Sequence, residues 1–227
     1  MALEKKWIVK EPGNPALVRQ LVAELGIDNA LANLLVQRNV KDFAQAKSFF
    51  RPQLENLHDP FLMKDMDKAV KRLDRAIRES EKILVYGDYD VDGTTAVALV
   101  YSFFRKGTPM VSYYIPDRYT EGYGISYIGI DAAAEEGCTL IIALDCGIKA
   151  TEKVEYARHK GIDFIICDHH LPADELPQAV AVLDPKRNDC HYPFDELSGC
   201  GVGFKLLQAF CMSRNIPLTE LYPFLDL

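Results

Sequence analysis

From Lys82 onward, short apolar runs alternate with helix-length amphipathic segments, and this rhythm restricts the fold more than any other feature of the chain. The runs are Ile83–Tyr86, Val111–Ile115, Leu140–Leu144, Phe164–Cys167 and Val180–Leu183. Between them lie Thr94–Arg105, Ser126–Glu136, Thr151–Lys160 and a Pro-rich loop around Pro172. Each run is nearly continuous in apolar residues, as a strand covered on both faces requires. Strands and helices alternating in this way build a mostly parallel sheet with helices on both faces, so the expected fold is α/β.

The chain before this region reads as helical by length and period. Asn14 and Pro15 form a cap and first position ahead of Ala16–Leu25, and Gly26 closes that helix. A second helix is expected after Asp28 with Leu31, Leu34 and Leu35 on one face, and a third through Phe43, Ala46, Lys47 and Phe50, broken at Arg51-Pro52. Residues 1–63 are therefore read as a helical N-terminal extension and 64–227 as the main domain. Its first helix, Asp65 to Glu79, turns Met66, Ala69, Val70, Leu73 and Ile77 inward. Lys68, Lys71, Arg72, Arg75 and Arg78 then form a largely solvated face.

Polar residues collect where the apolar runs stop. Asp88, Asp90 and Asp92 follow the first run and Asp117-Arg118 the second; Asp145, Asp168-His169-His170 and Asp184 end the others. In an open parallel sheet the strand carboxyl ends share one edge, and ligands bind there. Aspartate also caps helices, and Asp184, next to Pro185, is the first residue expected to play that structural role. If Asp88–Asp92 is extended, its three alternating carboxylates face one pocket. Like charges held that close repel unless a cation sits between them. Oxygen ligands supplemented by imidazole suit manganese or magnesium better than a structural zinc site. Several carboxylates can also hold two ions about 3.5–4 Å apart, the arrangement used to hydrolyse phosphate esters. On an extended segment His169 and His170 point to opposite sides, one toward metal and the other toward substrate or a supporting acid, and Asp168 is expected to orient them rather than to bind metal.

Two glycine-rich stretches complete the expected edge. Pro116–Gly124 sets Arg118 beside the permissive backbone of Gly122, suited to approaching a phosphodiester. Ser198, Gly199, Gly201 and Lys205 precede an apolar helix, Leu206–Phe210, whose N-terminus could cradle a phosphate. The spacing is not that of a Walker loop.

Composition adds bounds. The 227 residues are 48% hydrophobic and 26% charged, with no run long enough for a membrane span and no secretory leader at the start. Six scattered cysteines without a paired motif fit reduced thiols in a cytoplasmic protein. A net charge of −7 argues against a generic nucleic-acid binder, but carboxylates gathered around metal ions are neutralised by them.

Gly87–Gly93, Asp145-Cys146-Gly147 and Asp168-His169-His170 resemble the successive motifs of the DHH phosphoesterase superfamily. Glu121–Gly124, Ser198–Lys205, Leu57–Phe61 and Lys64–Met66 narrow the resemblance to the RecJ exonucleases. It implies Mn²⁺- or Mg²⁺-dependent 5′→3′ hydrolysis of single-stranded DNA in repair and recombination. It also implies a single-stranded-DNA-binding protein and a helicase as partners. By motif matching, Asp90, Asp92, Asp145 and His169 are metal ligands, His170 is a ligand or substrate contact, and Asp88 and Asp168 support them. The family continues past the equivalent of Leu227 into a further metal-binding aspartate, a DHHA1 domain and an OB domain. The chain is accordingly expected to be an incomplete catalytic domain, weakly active or inactive. The other readings are a DHH hydrolase of short oligonucleotides, cyclic dinucleotides or polyphosphate, and a metal-free DHH-like scaffold.

Overall fold

The computed structural model describes residues 6–227. Residues 1–5, the start of the expected extension and of the leader reading, lie outside the described residues. Contacts divide the chain between His58 and Asp59, five residues before the expected boundary at 63. The reason is packing: Pro60 and Met63 are buried, and Met63 belongs to the core that also contains Met66.

The first unit contains α1 (Pro15–Leu25), α2 (Asn29–Val36) and α3 (Phe43–Phe50). Asn14, Asp28 and Asp42 cap them by accepting backbone N–H groups of the first turn, and Gly26 ends α1 in the left-handed conformation. Its core is Val18, Leu21, Ala32, Leu35, Val36, Val40 and Ala46. The inward face of α2 is thus Ala32, Leu35 and Val36, whereas the expected Leu31 and Leu34 are 51% and 45% exposed. A short helix with apolar residues on most of its circumference leaves the choice of face to its neighbours.

The second unit opens with α4 (Met66–Arg78), followed by β1 (Lys82–Gly87), α5 (Val91–Gly107), β2 (Val111–Tyr114) and α6 (Tyr127–Glu135). Then come β3 (Cys138–Leu144), α7 (Thr151–His159), β4 (Asp163–Cys167), β5 (Ala181–Leu183) and α8 (Gly199–Arg214). The strands form one parallel sheet in the order β2-β1-β3-β4-β5. Alternate residues feed two cores. Ile83, Val85, Leu140, Ile142, Leu144 and Ile165 pack with residues of α4, α5 and α8. Leu84, Tyr86, Ile141, Ala143, Phe164 and Ile166 pack with residues of α6 and α7. Burial on both faces is why each strand reads as a continuous apolar run.

Arg72 departs from the solvated face expected for α4: it is 5% exposed. Its guanidinium donates to Glu81 Oε2 at 2.6 Å, to Asp163 Oδ2 at 2.5 Å and to the Thr139 carbonyl at 3.2 Å. The arginine therefore ties α4 to the start of β1 and to the inlet of β3 and β4. Among the described residues no helix is long and apolar enough to cross a membrane.

Candidate metal centre

The sheet brings Asp88, Asp145, Asp168 and Asp184 to the carboxyl ends of β1, β3, β4 and β5, all four at most 1% exposed. The alternating aspartates after β1 do not lie on an extended segment, however. Helix α5 starts at Val91, three residues before Thr94; Asp90 is its N-cap, accepting from Gly93 N at 3.0 Å, and Asp92 sits in its first turn. Competition between strand and cap geometry is settled by the cap, because Asp90 satisfies a helix donor that would otherwise be orphaned.

Asp92 then reaches across to α8. Its two carboxylate oxygens accept from Gly199 N at 2.7 Å and Cys200 N at 2.8 Å, while Ser198 Oγ accepts from Gly201 N at 3.0 Å. The glycines lie inside α8 rather than before it, and these N–H groups are already bonded to protein side chains. The expected phosphate cradle at this helix is therefore replaced by an anchor for Asp92: a carboxylate of the chain takes the position an anion would occupy. Gly199 is needed for close approach, since a Cβ there would lie 2.5 Å from Asp145 Cβ. Lys205 is placed elsewhere. It is 3% exposed, two turns into α8, and donates to Gln208 Oε1 at 2.8 Å instead of joining the carboxylate edge.

Asp145 adopts a left-handed backbone, φ 59°, as its N–H continues the ladder onto the Cys167 carbonyl at 2.9 Å. Its Oδ1 is buried without a hydrogen bond; the nearest imidazole, His169 Nε2, lies 3.1 Å away and 3.6 Å from Asp92 Oδ2. Burial, followed by the carboxylates of Asp92, Asp90 and Asp168, raises the Asp145 carboxyl from 3.8 to about 8. Burial also raises Asp88, whose Oδ1 accepts from Tyr89 N at 2.7 Å.

The two histidines are neighbours, not opposites. The backbone N–H groups of His169 and His170 both turn onto Asp168 Oδ1, at 2.7 and 3.2 Å, which bends the chain as it leaves β4. The rings lie 4.7 Å apart between centroids. Asp168 Oδ1 also meets His170 Nδ1 at 2.7 Å, and its Oδ2 accepts from Ile148 N at 2.9 Å. With Nδ1 held by a carboxylate, His170 presents Nε2 as a ligand atom. One ligand atom each from Asp145, His169 and His170 fall within 4.8 Å of one another. A buried, unbonded carboxylate oxygen beside two imidazoles and further carboxylates fits a divalent cation of the manganese or magnesium kind.

The loop between β2 and α6 adds groups at the same edge. Glu121 accepts from Asp117 N at 2.8 Å, from Tyr114 at 2.9 Å and from Ser126 Oγ, which folds the loop back on itself. Gly122 and Gly124, at φ 81° and 78°, allow the reversal that seats Tyr123. Tyr123 was not among the residues singled out from the sequence. Its ring makes edge contacts to Tyr89 at 5.9 Å and His170 at 6.4 Å, while Arg118 lies 4.7 Å over the Tyr89 ring. An aromatic residue between two glycines was the available signal. Exposed Asp117 merely caps its own turn through Tyr119 and Thr120. Asp184 does cap the following turn as expected, its Oδ1 accepting from Lys186 N at 2.7 Å, but it is also buried with Oδ2 unbonded, and burial raises its carboxyl to about 6.

The sequence of residues 82–225 matches the DHH family, N-terminal domain. The chain belongs to the DHH family. It is 40% identical over 209 residues to the single-stranded-DNA-specific exonuclease RecJ of Bacillus subtilis, covering 92% of this chain and 26% of that protein. The Escherichia coli RecJ is 35% identical, with 94% and 36% covered. Among solved structures, RecJ in complex with Mn²⁺ from Thermus thermophilus superposes with a TM-score of 0.73 at 25% identity, covering 92% of this chain and 30% of that one. The DHH chain thus spans about a quarter to a third of the length of these relatives. The parallel α/β sheet expected from the sequence is the fold found.

Proposed function

We propose that this DHH chain carries catalytic machinery of a divalent-metal-dependent exonuclease that hydrolyses phosphodiester bonds from the 5′ end of single-stranded DNA. The observation that carries the reading is the meeting of the unbonded Asp145 Oδ1 with His169 and His170 at the carboxyl edge of the sheet. The RecJ exonucleases to which the chain is similar supply the substrate class. Asp145, His169 and His170 would hold Mn²⁺ or Mg²⁺, with Asp90 and Asp92 available for a second ion. Such ions supply an acidified water and neutralise charge on the phosphate.

The chain's own residues provide the rest. Asp168 fixes the orientation of His170 and pins the loop after β3 through Ile148. The N-terminus of α8 holds Asp92 in place. Arg118, spread over Tyr89, offers a planar donor set for a phosphodiester beside an aromatic face on which a base can stack. DNA repair and recombination, a cytoplasmic setting, and contacts with a single-stranded-DNA-binding protein and a helicase belong to the same reading.

The test uses a 5′-phosphorylated single strand and a blunt hairpin of the same composition, each incubated with the chain and Mn²⁺. Mononucleotides should be released faster from the single strand, and Asp145→Ala should abolish the release. Equal digestion of both substrates would overturn the single-strand reading, and digestion by the Asp145 variant would overturn the site.

A further inference from the structure

A cavity of about 280 Å³ adjoins the metal centre and shares Asp168 and His170 with it. Its other walls include Tyr123, Ile148, Lys149 and Lys153. Lys149 lies on the loop leaving Asp145, and Lys153 lies in the first turn of α7. The hydrogen bond from Ile148 N to Asp168 Oδ2 locks that loop to the histidine pair, so the lysines hold a fixed relation to the centre.

The charge pattern around this cavity differs from that of its surroundings. Other basic groups on and after α7 are neutralised: Arg158 and His159 lie against Glu155, and Lys160 against Asp131. Among the described residues, Lys149 and Lys153 take part in no such ion pair. The carboxylate in the cavity wall, Asp168, has its oxygens engaged by the N–H groups of Ile148, His169 and His170. Two cationic side chains lining one recess repel each other, and an anion between them offsets that repulsion.

We infer that this cavity is a second phosphate subsite, in which Lys149 and Lys153 hold the phosphate adjoining the scissile one, with its sugar against Tyr123 and Ile148. The inference rests on the proposed single-strand reading and deepens it. Lysine acts here as a point charge, so the subsite positions a strand without selecting its sequence. An electropositive recess beside a carboxylate-rich centre also explains how a chain of net charge −7 can retain a polyanion.

The experiment measures binding of a fluorescent, 5′-phosphorylated, phosphorothioate-linked oligothymidylate to the full chain with Mn²⁺ across a salt series. Each single-strand phosphate neutralised contributes about 0.7 to the slope of log affinity against log salt, so Lys149→Gln with Lys153→Gln, which releases one phosphate, should make it shallower by about 0.7. Lys71→Gln, on the exposed face of α4, should leave the slope unchanged. The corresponding double arginine variant should restore the slope, which a merely structural role would not do. If the glutamine variant binds with the wild-type slope while keeping the Mn²⁺-induced rise in Tm, the subsite is refuted and the proposed function stands. If the wild-type chain responds to Mn²⁺ but binds no single strand, the single-strand reading fails and the subsite with it.

Discussion

Asp145→Asn should make the metal-free protein more stable at neutral pH, although it removes a central group of the metal site. The Asp145 carboxyl is raised from 3.8 to about 8, first by burial and then by the carboxylates of Asp92, Asp90 and Asp168. Between those two values the unfolded chain has released this proton while the folded chain still holds it. Folding is then penalised as pH rises, by about 1.4 kcal/mol per pH unit, until the folded group also ionises near its own value. Taken over the full interval of about four units, the penalty is limited to about 6 kcal/mol, and movement of side chains and water reduces it. Asparagine keeps the shape, tolerates the left-handed backbone at this position, and can donate to a neighbouring carboxylate. Urea unfolding in chelator between pH 5 and 8.5 should therefore show the variant gaining on the wild type as pH rises. With saturating Mn²⁺ the order should reverse, because the cation binds the folded wild type and stabilises it by mass action. A difference that does not change with pH in chelator, or a wild type that is the more stable at pH 8 without metal, would refute the electrostatic argument.

Gly199→Ala places a Cβ 2.5 Å from Asp145 Cβ and 2.6 Å from its Oδ1. The overlap should cost about 1–3 kcal/mol and weaken the Mn²⁺-induced rise in Tm; an unchanged melt with and without the ion would contradict it. Arg72→Ala leaves Glu81, with a side chain 14% exposed, and Asp163 with only the more exposed guanidinium of Arg75, 3.3 Å from each. Because Arg75 still compensates both carboxylates, a loss of about 1–3 kcal/mol is expected by chemical denaturation, and Arg72→Met should be milder because the buried stem is retained. Equal losses in the two variants would assign the cost to the lost charge alone and refute a contribution from the stem.

Much of the architecture could be read from local pattern. The apolar runs fall on the five strands, and the caps at Asn14 and Gly26 bound α1, because period and capping chemistry act over a few residues. Placing the aspartates and histidines at one edge needed only the rule that parallel strands share their carboxyl ends. What the pattern could not supply was the partner of each polar group. Asp92 meets the N–H groups of Gly199 and Cys200, more than a hundred residues along the chain. Asp168 draws both following N–H groups onto one oxygen and so turns His170 beside His169. Arg72, polar by sequence, is buried because Glu81 and Asp163 are brought to it, while Lys205 is buried beside Gln208, one turn on in α8.

The sequence by itself determined the parallel α/β sheet and the acidic, imidazole-bearing edge on it, since strand periodicity and strand direction are local properties. The tertiary structure alone decided which of those groups stay unbonded and which are also tied into the fold. Asp145 Oδ1 is left with only the His169 imidazole beside it, whereas Asp92 anchors α8 and Asp117 only closes a turn. For Asp92 and Asp145 that division depends on which distant groups packing brings within reach, and no spacing along the chain encodes it.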